Sequence, residues 1–347
     1  MIQGFKRSPI NLRPLFGIRH SPNPKGIGLF ASSLIRLARV GLASETEARG
    51  LADRLEGLRS PGWKHACWGY NFDWQTRTYL VPKFHPNIIC TTFVSETLLD
   101  AFDRWQDERY LDLAIGGGRF LLDDLKRTEL GDSFCFSYTP LRPSRVHNAN
   151  LLGAALLARL WSHTRNDEFR EAAEAATRYG IRHQQSDGSW IYGEDPHQEW
   201  IDSFHTGYNL IALRAVARNL EMKAADISLR EGYRYYRQAF FPGGGLVKYF
   251  HNRLHPIDVH AVAHAILALV QLSDLDETAE GLAAEIAHWA EQHLQSAEGY
   301  FYYQQTRRMT NRIPYMRWGQ AWMLRGLSEL LVAQSGRRAE PQRHRGC

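Results

Sequence analysis

The chain has 347 residues, of which 44% are hydrophobic and 23% charged, enough apolar material for one large domain or two average ones. Its net charge of +5 comes from its ends, because residues 1–25 and 337–347 together carry +8 and leave −3 for residues 26–336. A mildly acidic body lacks the clustered basic face that nucleic-acid binding requires. We therefore expect no nucleic-acid partner, a basic N-terminal extension at 1–25 and a flexible basic tail at 337–347.

The cysteines and the early apolar stretch argue against disulfide-rich, zinc-binding, secreted and membrane-spanning proteins. The four cysteines are scattered, without a CxxC pair or metal-ligand spacing, which argues against a disulfide framework and a zinc module. The most apolar early stretch, 26–43, has helical periodicity and is interrupted by Arg36 and Arg39. It predicts neither a signal peptide nor a membrane span. We expect a cytoplasmic protein with no integral membrane span and no cofactor.

Helical segments recur along the chain every 54 to 61 residues. Segments that are apolar on most faces, which is typical of buried helices, begin near residues 26, 87, 148, 203, 257 and 315. Between them lie charged segments with a single apolar stripe, near 45–58, 108–125, 167–184, 223–240 and 276–294. This alternation predicts an all-α, six-hairpin (α/α)6 toroid over residues 26–336. With six inner and five outer helices the outer layer is incomplete, and we expect the N-terminal segment to complete the last pair.

The run of three glycines at 116–118 resembles a phosphate-binding loop when taken alone. Its register, however, matches Ala175-Ala176-Thr177 in the next outer helix, and no strand precedes it. We interpret the run as a helical segment packed closely against a neighbour.

Five loops, each preceding an inner helix, are predicted to meet at one end of the toroid. They are rich in aromatic and polar residues and span about 60–87, 126–147, 185–202, 241–256 and 295–313. The N-terminal ends of the inner helices lie beneath them, and such ends favour anionic or hydroxyl-rich ligands. The convergence of distant segments predicts a binding pocket at this end.

The first two loops supply aromatic rings and a basic cluster. Trp68, Tyr70 and Trp74 alternate with polar residues that include Asp73, a composition suited to stacking on sugar faces. The alternative is that these rings fold over and plug the barrel. In the second loop, Arg145 precedes His147 and Asn148, which stand at the start of an inner helix, where Asn148 could also act as a cap.

The third loop places a carboxylate next to an imidazole. Its first half, which includes Trp190 and Tyr192, resembles a helix end followed by a glycine turn, with Trp190 packed on the preceding helix. In its second half, Asp202 and His205 lie one turn apart on the same helix face, as an acid–base pair would. The alternative is that Asp202 is only the N-cap of that helix.

The last two loops add histidines and an arginine. We expect His260 to face the pocket and His264, one turn further, to be a hydrogen-bonded core residue. No glutamate completes a metallopeptidase pattern around this pair, so we predict no metal site. The final inner helix begins with four candidate substrate-binding residues, Tyr315, Arg317, Trp318 and Gln320. The arginine could pair with a substrate carboxylate or with a loop acid.

Three segments resemble a known family. Residues 67–75 (CWGYNFDWQ), 202–208 (DSFHTGY) and 315–323 (YMRWGQAWM) are similar to VpsJ-type polysaccharide biosynthesis proteins. The resemblance implies a six-hairpin glycosidase-like toroid, a role in exopolysaccharide or surface polysaccharide production, and contact with that machinery. The organisation is distantly similar to the barrel of glucuronyl C5-epimerases. Residues 185–190 (QSDGSW) also resemble the QW repeat of terpene cyclases and prenyltransferases, but the acidic DxDD motif of the cyclases is absent.

We therefore predict a carbohydrate-active protein, leaning toward an enzyme, that binds an oligo- or polysaccharide or its precursor. His205 or His260 would exchange protons, with Asp73 or Asp202 as the carboxylate partner, and Arg145 and Arg317 would neutralise a uronate or phosphate. Two carboxylates about 6.5–9.5 Å apart would favour inverting hydrolysis, whereas convergence of histidines, Tyr315 and arginine would favour epimerisation or β-elimination. The alternatives are a non-catalytic sugar-binding or scaffold protein and a terpene cyclase-like toroid.

Overall fold

A computed structural model describes residue 8 and residues 10–18, 20–76 and 79–339, with side chains to residue 336. This part of the chain contains eleven α-helices: α1 Pro24–Arg39, α2 Glu45–Asp53, α3 Ile88–Trp105, α4 Glu108–Asp123, α5 His147–Thr164, α6 Asp167–Arg182, α7 Ser203–Leu220, α8 Lys223–Phe240, α9 Val259–Gln271, α10 Ala279–Leu294 and α11 Ala321–Ala339. A five-residue π-helix, Met316–Gln320, leads into α11. Apart from the last turn of α11, the predicted tail at 337–347 lies outside the described residues, as do residues 1–7.

The odd-numbered helices form a closed ring. Each contacts the next in chain order, and α11 contacts α1. The even-numbered helices pack outside the ring, each against the inner helix that precedes it in the chain. The predicted (α/α)6 toroid is confirmed, including its six inner and five outer helices.

Within its described residues, the N-terminal segment forms no outer helix, so the expectation that it completes the outer layer is wrong for this part of the chain. Its described part contains one short 3-10 turn, Pro14–Phe16. The segment lies instead against the last loop, where Arg13 donates a hydrogen bond to the hydroxyl of Tyr315. The prolines at positions 9, 14 and 22 prevent the long continuous helix that an outer layer requires.

Burial follows the two patterns found in the sequence. Inner helix α9 buries all twelve residues from Val259 to Val270. Outer helix α8 buries only a stripe that includes Leu229, Tyr233 and Tyr236, spaced three or four residues apart. In the described part of the chain, no helix has the combination of length and apolarity needed to cross a bilayer.

Short strands occur in the connections that precede inner helices. Three antiparallel pieces are formed by β1 Trp74–Gln75 with β2 Leu80–Val81, by β3 Arg127–Leu130 with β4 Ser133–Phe136, and by β5 Ile257–Asp258, β6 Gln304–Gln305 and β7 Thr310–Asn311. In the longest pair, Leu130 lies opposite Ser133 and Arg127 opposite Phe136. All these pieces lie at the end of the toroid where the inner helices begin, which we call the mouth.

The inner helices begin with polar caps at the mouth. The side chains of Asn23, Asn87, Asp202 and Asp258 each accept a hydrogen bond from a backbone N–H in the first turn of α1, α3, α7 and α9 respectively. A cap of this kind satisfies one of the N–H groups that a helix start leaves unpaired. The same residues that begin the helices therefore give the mouth its polar floor.

The glycine run lies inside α4, as interpreted from its register. A Cβ atom on Gly118 would lie 2.4 Å from Leu160 Cδ1, and one on Gly117 would lie 2.1 Å from Ser95 Oγ. The run therefore lets α4 approach the inner helices α3 and α5 closely.

We expect Gly118→Ala to lower the free energy of unfolding by about 1 kcal/mol, because overpacking outweighs the gain in helix propensity. Gly50→Ala on the exposed side of α2, where no atom lies within 4 Å of the added Cβ, should raise it by about 0.5–1 kcal/mol. Urea denaturation of both variants measures these changes. Equal effects at the two positions would contradict the packing role.

Candidate active site

Asp202 caps helix α7 and also orients His205. Its Oδ1 accepts the backbone N–H of His205 at 2.9 Å, and its Oδ2 lies 2.7 Å from His205 Nδ1. Oδ2 also accepts the indole N–H of Trp200 at 2.9 Å. The Asp202 side chain is fully buried, whereas 20% of the His205 side chain is exposed. Asp202 therefore caps α7 and is hydrogen-bonded to the His205 ring at the same time.

This contact determines which nitrogen of His205 can take up a proton. A carboxylate only accepts hydrogen bonds, so Nδ1 carries hydrogen in the neutral imidazole. The lone pair is then on Nε2, which makes His205 a potential base held by a buried carboxylate.

A narrow cleft, too tightly closed in this structure to admit a water molecule, lies beside His205. Tyr192 and Trp200 stack with ring centroids 4.4 Å apart, and the Tyr192 ring lies 4.5 Å from that of His205. Asn148 and Asn209 are buried in the lining, and neither amide oxygen has a hydrogen-bond partner in the described part of the chain. The described lining is completed by Trp190, Ile191, Asp202 and Thr206. Because an unpaired buried acceptor is costly, these oxygens suit a ligand with several hydroxyl groups.

His260 lies next to His205 on the neighbouring inner helix. Phe204 separates the two imidazoles, with centroid distances of 4.0 Å to His205 and 4.6 Å to His260. His260 Nε2 lies 2.8 Å from the Tyr208 hydroxyl, and Nδ1 has no partner among the described residues. Burial holds the pKa of His260 well below its usual value, with Lys25 contributing in the same direction. The ring is therefore neutral at physiological pH.

His264 lies deeper, packed against Tyr208 with ring centroids 4.3 Å apart. Its placement in the core is as predicted, but the expected hydrogen bonds are not formed, since neither ring nitrogen has a partner in the described residues. Within this part of the chain, no group of three or more His, Cys, Asp or Glu side chains is arranged to hold a metal ion.

The π-helix presents an arginine without an acid partner. The Arg317 guanidinium lies over the Tyr70 ring at 4.7 Å and over Phe72 at 5.6 Å. Among the described residues no carboxylate lies within ion-pair distance of it, so the alternative pairing with a loop acid is not observed. Trp318, the next residue, donates its indole N–H to Asp258 Oδ1 at 3.0 Å.

The aromatic residues of the first loop divide into two groups. Tyr70 lies parallel to Phe72 and edge-on to Trp74, with the latter centroids 5.8 Å apart. Trp74 is half-buried and also packs against Tyr138. Trp68, in contrast, is fully buried and donates its indole N–H to the Leu55 carbonyl. Tyr70 and Trp74 lie at the mouth, and Trp68 belongs to the core beneath it.

Several predicted site residues have their polar groups engaged in contacts away from His205. Asp73 is exposed and accepts the backbone N–H of Lys83 at 2.8 Å. Trp190 donates to the Gly180 carbonyl on α6, which matches the predicted packing, although its ring also lines the cleft. The Gln320 amide makes two hydrogen bonds with the backbone of Phe301, and Tyr315 receives the hydrogen bond of Arg13.

Arg145 and His147 belong to a separate cluster around Glu194. Arg145 pairs with Glu194 at 3.1 Å, and the Tyr179 hydroxyl donates to the same carboxylate at 2.7 Å. Burial lowers the pKa of His147 to about 4. This cluster ties the third loop to outer helix α6, so the structure does not bring these two residues to His205.

Lys25 is a residue of the mouth that sequence reasoning missed. It lies in the first turn of α1 with 4% of its surface exposed, and its Nζ is 4.2 Å from the Phe93 centroid and 5.3 Å from that of Trp322. The available signal was Asn23-Pro24, a cap followed by a proline suited to the first helical position. This cap signal predicts that the helix starts before Lys25 and includes it. The charge pattern, in contrast, groups Lys25 with the basic residues of the N-terminal extension.

No protein-family model matches the chain, and no curated protein sequence matches it. Several solved structures share its fold. A cellobiose 2-epimerase from Bacillus thermoamylovorans is 11% identical over 90% of this chain and 88% of its own, with a TM-score of 0.67. A GH76 alpha-mannanase from Bacteroides thetaiotaomicron is 12% identical over 93% and 89%, with a TM-score of 0.70. An unsaturated glucuronyl hydrolase from Bacillus sp. GL1 is 15% identical over 86% and 84%, with a TM-score of 0.60. The similarity establishes that the chain has the six-hairpin toroid fold of these enzymes.

Proposed function

We propose that this protein is a carbohydrate-active enzyme that transfers protons on a sugar bound at the mouth, with His205 as the acid–base group. The observation that carries the proposal is the Asp202–His205 pair. A buried carboxylate holds one ring nitrogen while the other is left for a substrate in the adjacent cleft.

The lining of the cleft supports a sugar as the substrate. Aromatic rings such as Tyr192 and Trp200 suit the C–H face of a pyranose, and the unpaired oxygens of Asn148 and Asn209 suit its hydroxyls. Because the two rings stack on each other and Tyr192 also packs on His205, the proposal requires these side chains to move apart when the sugar binds. The epimerase, mannanase and glucuronyl hydrolase with the same fold add support for a carbohydrate.

Proton transfer by histidine fits this site better than hydrolysis by two carboxylates. Among the described residues lining the cleft, Asp202 is the sole carboxylate, and three hydrogen bonds already engage it. Hydrolysis of a glycoside by the usual route needs a second carboxyl group facing the first. Asp73, the other predicted carboxylate, lies exposed just before β1.

The proposed step begins at a sugar carbon next to a carbonyl group. His205 Nε2 takes the proton of that carbon, and the electron pair of the broken C–H bond moves into the carbonyl as an enolate. Return of a proton to the opposite face gives the epimer, whereas loss of the β-oxygen substituent gives an unsaturated sugar. The returning proton comes from the solvent, because His260, the other predicted proton-exchanging residue, is buried behind Phe204 and does not line the cleft.

The similarity of three segments to VpsJ-type proteins supports a biological setting. We place the reaction in the cytoplasm, during the assembly or modification of exopolysaccharide or surface polysaccharide. Contact with other proteins of that pathway belongs to the same proposal.

Deuterium exchange tests the chemistry whichever product is formed. The purified protein is incubated in D2O with cellobiose, glucose or glucuronate, and proton NMR follows the loss of a carbon-bound hydrogen. We expect exchange with at least one sugar, and a rate lowered about a hundredfold or more in His205→Gln. His288→Gln, on the exposed side of α10, is the matched control and should leave the rate unchanged.

The opposite result would identify a binding protein. If no sugar exchanges or changes in the wild-type protein, while calorimetry shows sugar binding that Trp200→Ala weakens, the catalytic proposal is wrong. An exchange rate that is the same in His205→Gln and the wild type would exclude His205 from the reaction.

A further inference from the structure

Two cations without acid partners lie close together at the mouth. Lys25 is almost fully buried and contacts the faces of Phe93 and Trp322. In the described part of the chain, neither Lys25 nor Arg317 forms an ion pair. The first turn of α1 packs on the π-helix so closely that a Cβ on Gly26 would lie 3.6 Å from Arg317 Cβ. The two cations therefore belong to adjoining turns.

Two acids at the mouth, Asp202 and Asp258, are already engaged in hydrogen bonds. Asp202 binds Trp200 and His205, as described above. Asp258 accepts the backbone N–H of His260 and the indole N–H of Trp318 through Oδ1, and the amide of Gln304 through Oδ2. Neither carboxylate forms an ion pair with Lys25 or Arg317.

The opposite end of the toroid shows the usual arrangement of buried cations. There Arg36 and Arg159 both pair with Asp100, and Arg325 pairs with Glu329. A buried charge without a partner is strongly unfavourable, so burial favours the neutral form of Lys25 until an anion binds beside it. An unpaired lysine and arginine side by side are therefore better explained by an anion that binds between them than by a structural role.

We propose that Lys25 and Arg317 form a binding site for the anionic group of the sugar substrate, the carboxylate of a uronic acid or the phosphate of a sugar phosphate. This inference rests on the proposed function, since it names the class of sugar that the mouth accepts. The guanidinium supplies paired donors to either anion. The N-terminal end of α1 adds its positive dipole. Nδ1 of His260, which has no partner among the described residues, can donate a further hydrogen bond.

The site predicts that binding is linked to proton uptake. Burial lowers the pKa of Lys25 well below its usual value, and the charge of Arg317 lowers it further. A bound anion acts in the opposite direction, so Lys25 takes up a proton when the anion binds and the affinity falls as the pH rises. The titratable groups that face Lys25 from the neighbouring elements are Cys90 of α3, Tyr208 of α7, His260 and His264 of α9, and Arg317 of the π-helix.

Calorimetric titration of the full chain tests the site by equilibrium binding. The probes are glucuronate, glucose 1-phosphate and glucose, each in two buffers with different heats of ionisation. We expect at least one acidic sugar to bind about tenfold or more tightly than glucose, with net proton uptake. Lys25→Met and Arg317→Met should each abolish the preference for the acidic sugar over glucose. Lys25→Met should also abolish the proton uptake on binding. Arg317→Lys, which keeps the charge, should retain part of the preference.

Matched controls separate this site from general electrostatics and from catalysis. Lys83→Met and Arg312→Gln remove exposed positive charges from loops at the same end and should leave the preference unchanged. His205→Gln should lose proton exchange but keep the preference, so a failure of the catalytic proposal is distinguishable from a failure of this one. Thermal melting checks that each variant is folded.

The two acidic probes distinguish the sources of the anion. Tight binding of glucuronate alone assigns a uronate, and tight binding of glucose 1-phosphate alone assigns a sugar phosphate. Equal affinity for glucose and both acids, no binding of either acid at millimolar concentration, or an unchanged preference in folded Lys25→Met would overturn the proposal.

Discussion

Asp202→Asn is expected to lower the rate of proton exchange on the sugar by about two to four orders of magnitude while leaving the protein folded. An asparagine oxygen can still accept the backbone N–H of His205, so the cap of α7 is retained. The amide nitrogen, however, would face His205 Nδ1 as a donor. The imidazole would then carry its hydrogen on Nε2, where it cannot remove a proton from the substrate.

Asp107→Asn is the matched control, because Asp107 is the N-cap of outer helix α4, away from the mouth. The exchange assay in D2O gives the rate, and circular dichroism with thermal melting gives the folded fraction. A folded Asp202→Asn variant with wild-type exchange would show that Asp202 only caps the helix. The same loss in Asp107→Asn would show that the assay reports stability and not chemistry.

The Asp202–His205 pair could be predicted from the sequence because helical spacing determines it. Residues three apart lie on the same side of a helix, and the repeat places the start of α7 at Ser203. The period of the repeat predicted the other inner helices in the same way, since burial on all sides leaves a strong apolar signal. The inner helices and the Asp202–His205 pair could therefore be predicted, because they depend only on local sequence and on the period of the repeat.

Side-chain direction at the mouth could not be predicted at the same level. Successive helical residues differ by about 100° in direction, so His147 turns toward α6 and Glu194 while Asn148 lines the cleft. A helix start that is wrong by one residue would exchange these two roles. Asp73 lies in a loop, where no period applies, and its contact with the Lys83 backbone depends on the β1–β2 turn.

Lys25 shows a different limit of sequence reasoning. Counted with Lys6, Arg7 and Arg13, it belongs to a basic segment without acids. Its burial arises from the closure of the ring, which brings α11 and α3 against α1. Charge composition describes a segment in isolation, whereas the environment of this amine depends on residues 68 and 297 positions away, Phe93 and Trp322.

The end of the toroid opposite the mouth is held by a network of ion pairs centred on Asp100. Its Oδ2 binds Arg36 at 2.6 Å and accepts the Ser32 hydroxyl at 2.7 Å, and its Oδ1 binds Arg159 at 3.0 Å. Arg36 continues to Glu329 at 3.1 Å. One carboxylate therefore connects inner helices α1, α3 and α5, and through Arg36 also α11. The Asp100 side chain is only 10% exposed, so water cannot replace these contacts fully.

We expect Asp100→Asn to lower the free energy of unfolding by about 2–4 kcal/mol near neutral pH. This is less than the loss expected for a fully buried ion pair, because Arg36 and Arg159 are about one-fifth exposed to solvent. The substitution leaves two arginines facing each other with one charge fewer between them. Urea denaturation measures the loss. Asp226→Asn, which removes the half-buried partner of the exposed Arg230 on α8, should change the stability by less than about 0.5 kcal/mol.

The pH dependence of the stability difference between the wild type and Asp100→Asn tests whether the loss is electrostatic. Burial by itself would raise the pKa of Asp100, but the charges of Arg36 and Arg159 outweigh burial and lower it. The pKa of Glu329 is lowered to about 2 in the same way, where Arg325 and Arg36 outweigh burial. A carboxyl with a lowered pKa in the folded state stabilises the protein above its unfolded pKa of about 4 and loses that contribution as the pH falls. The gap between the wild type and Asp100→Asn should therefore narrow below about pH 4, and a gap independent of pH would assign the loss to packing.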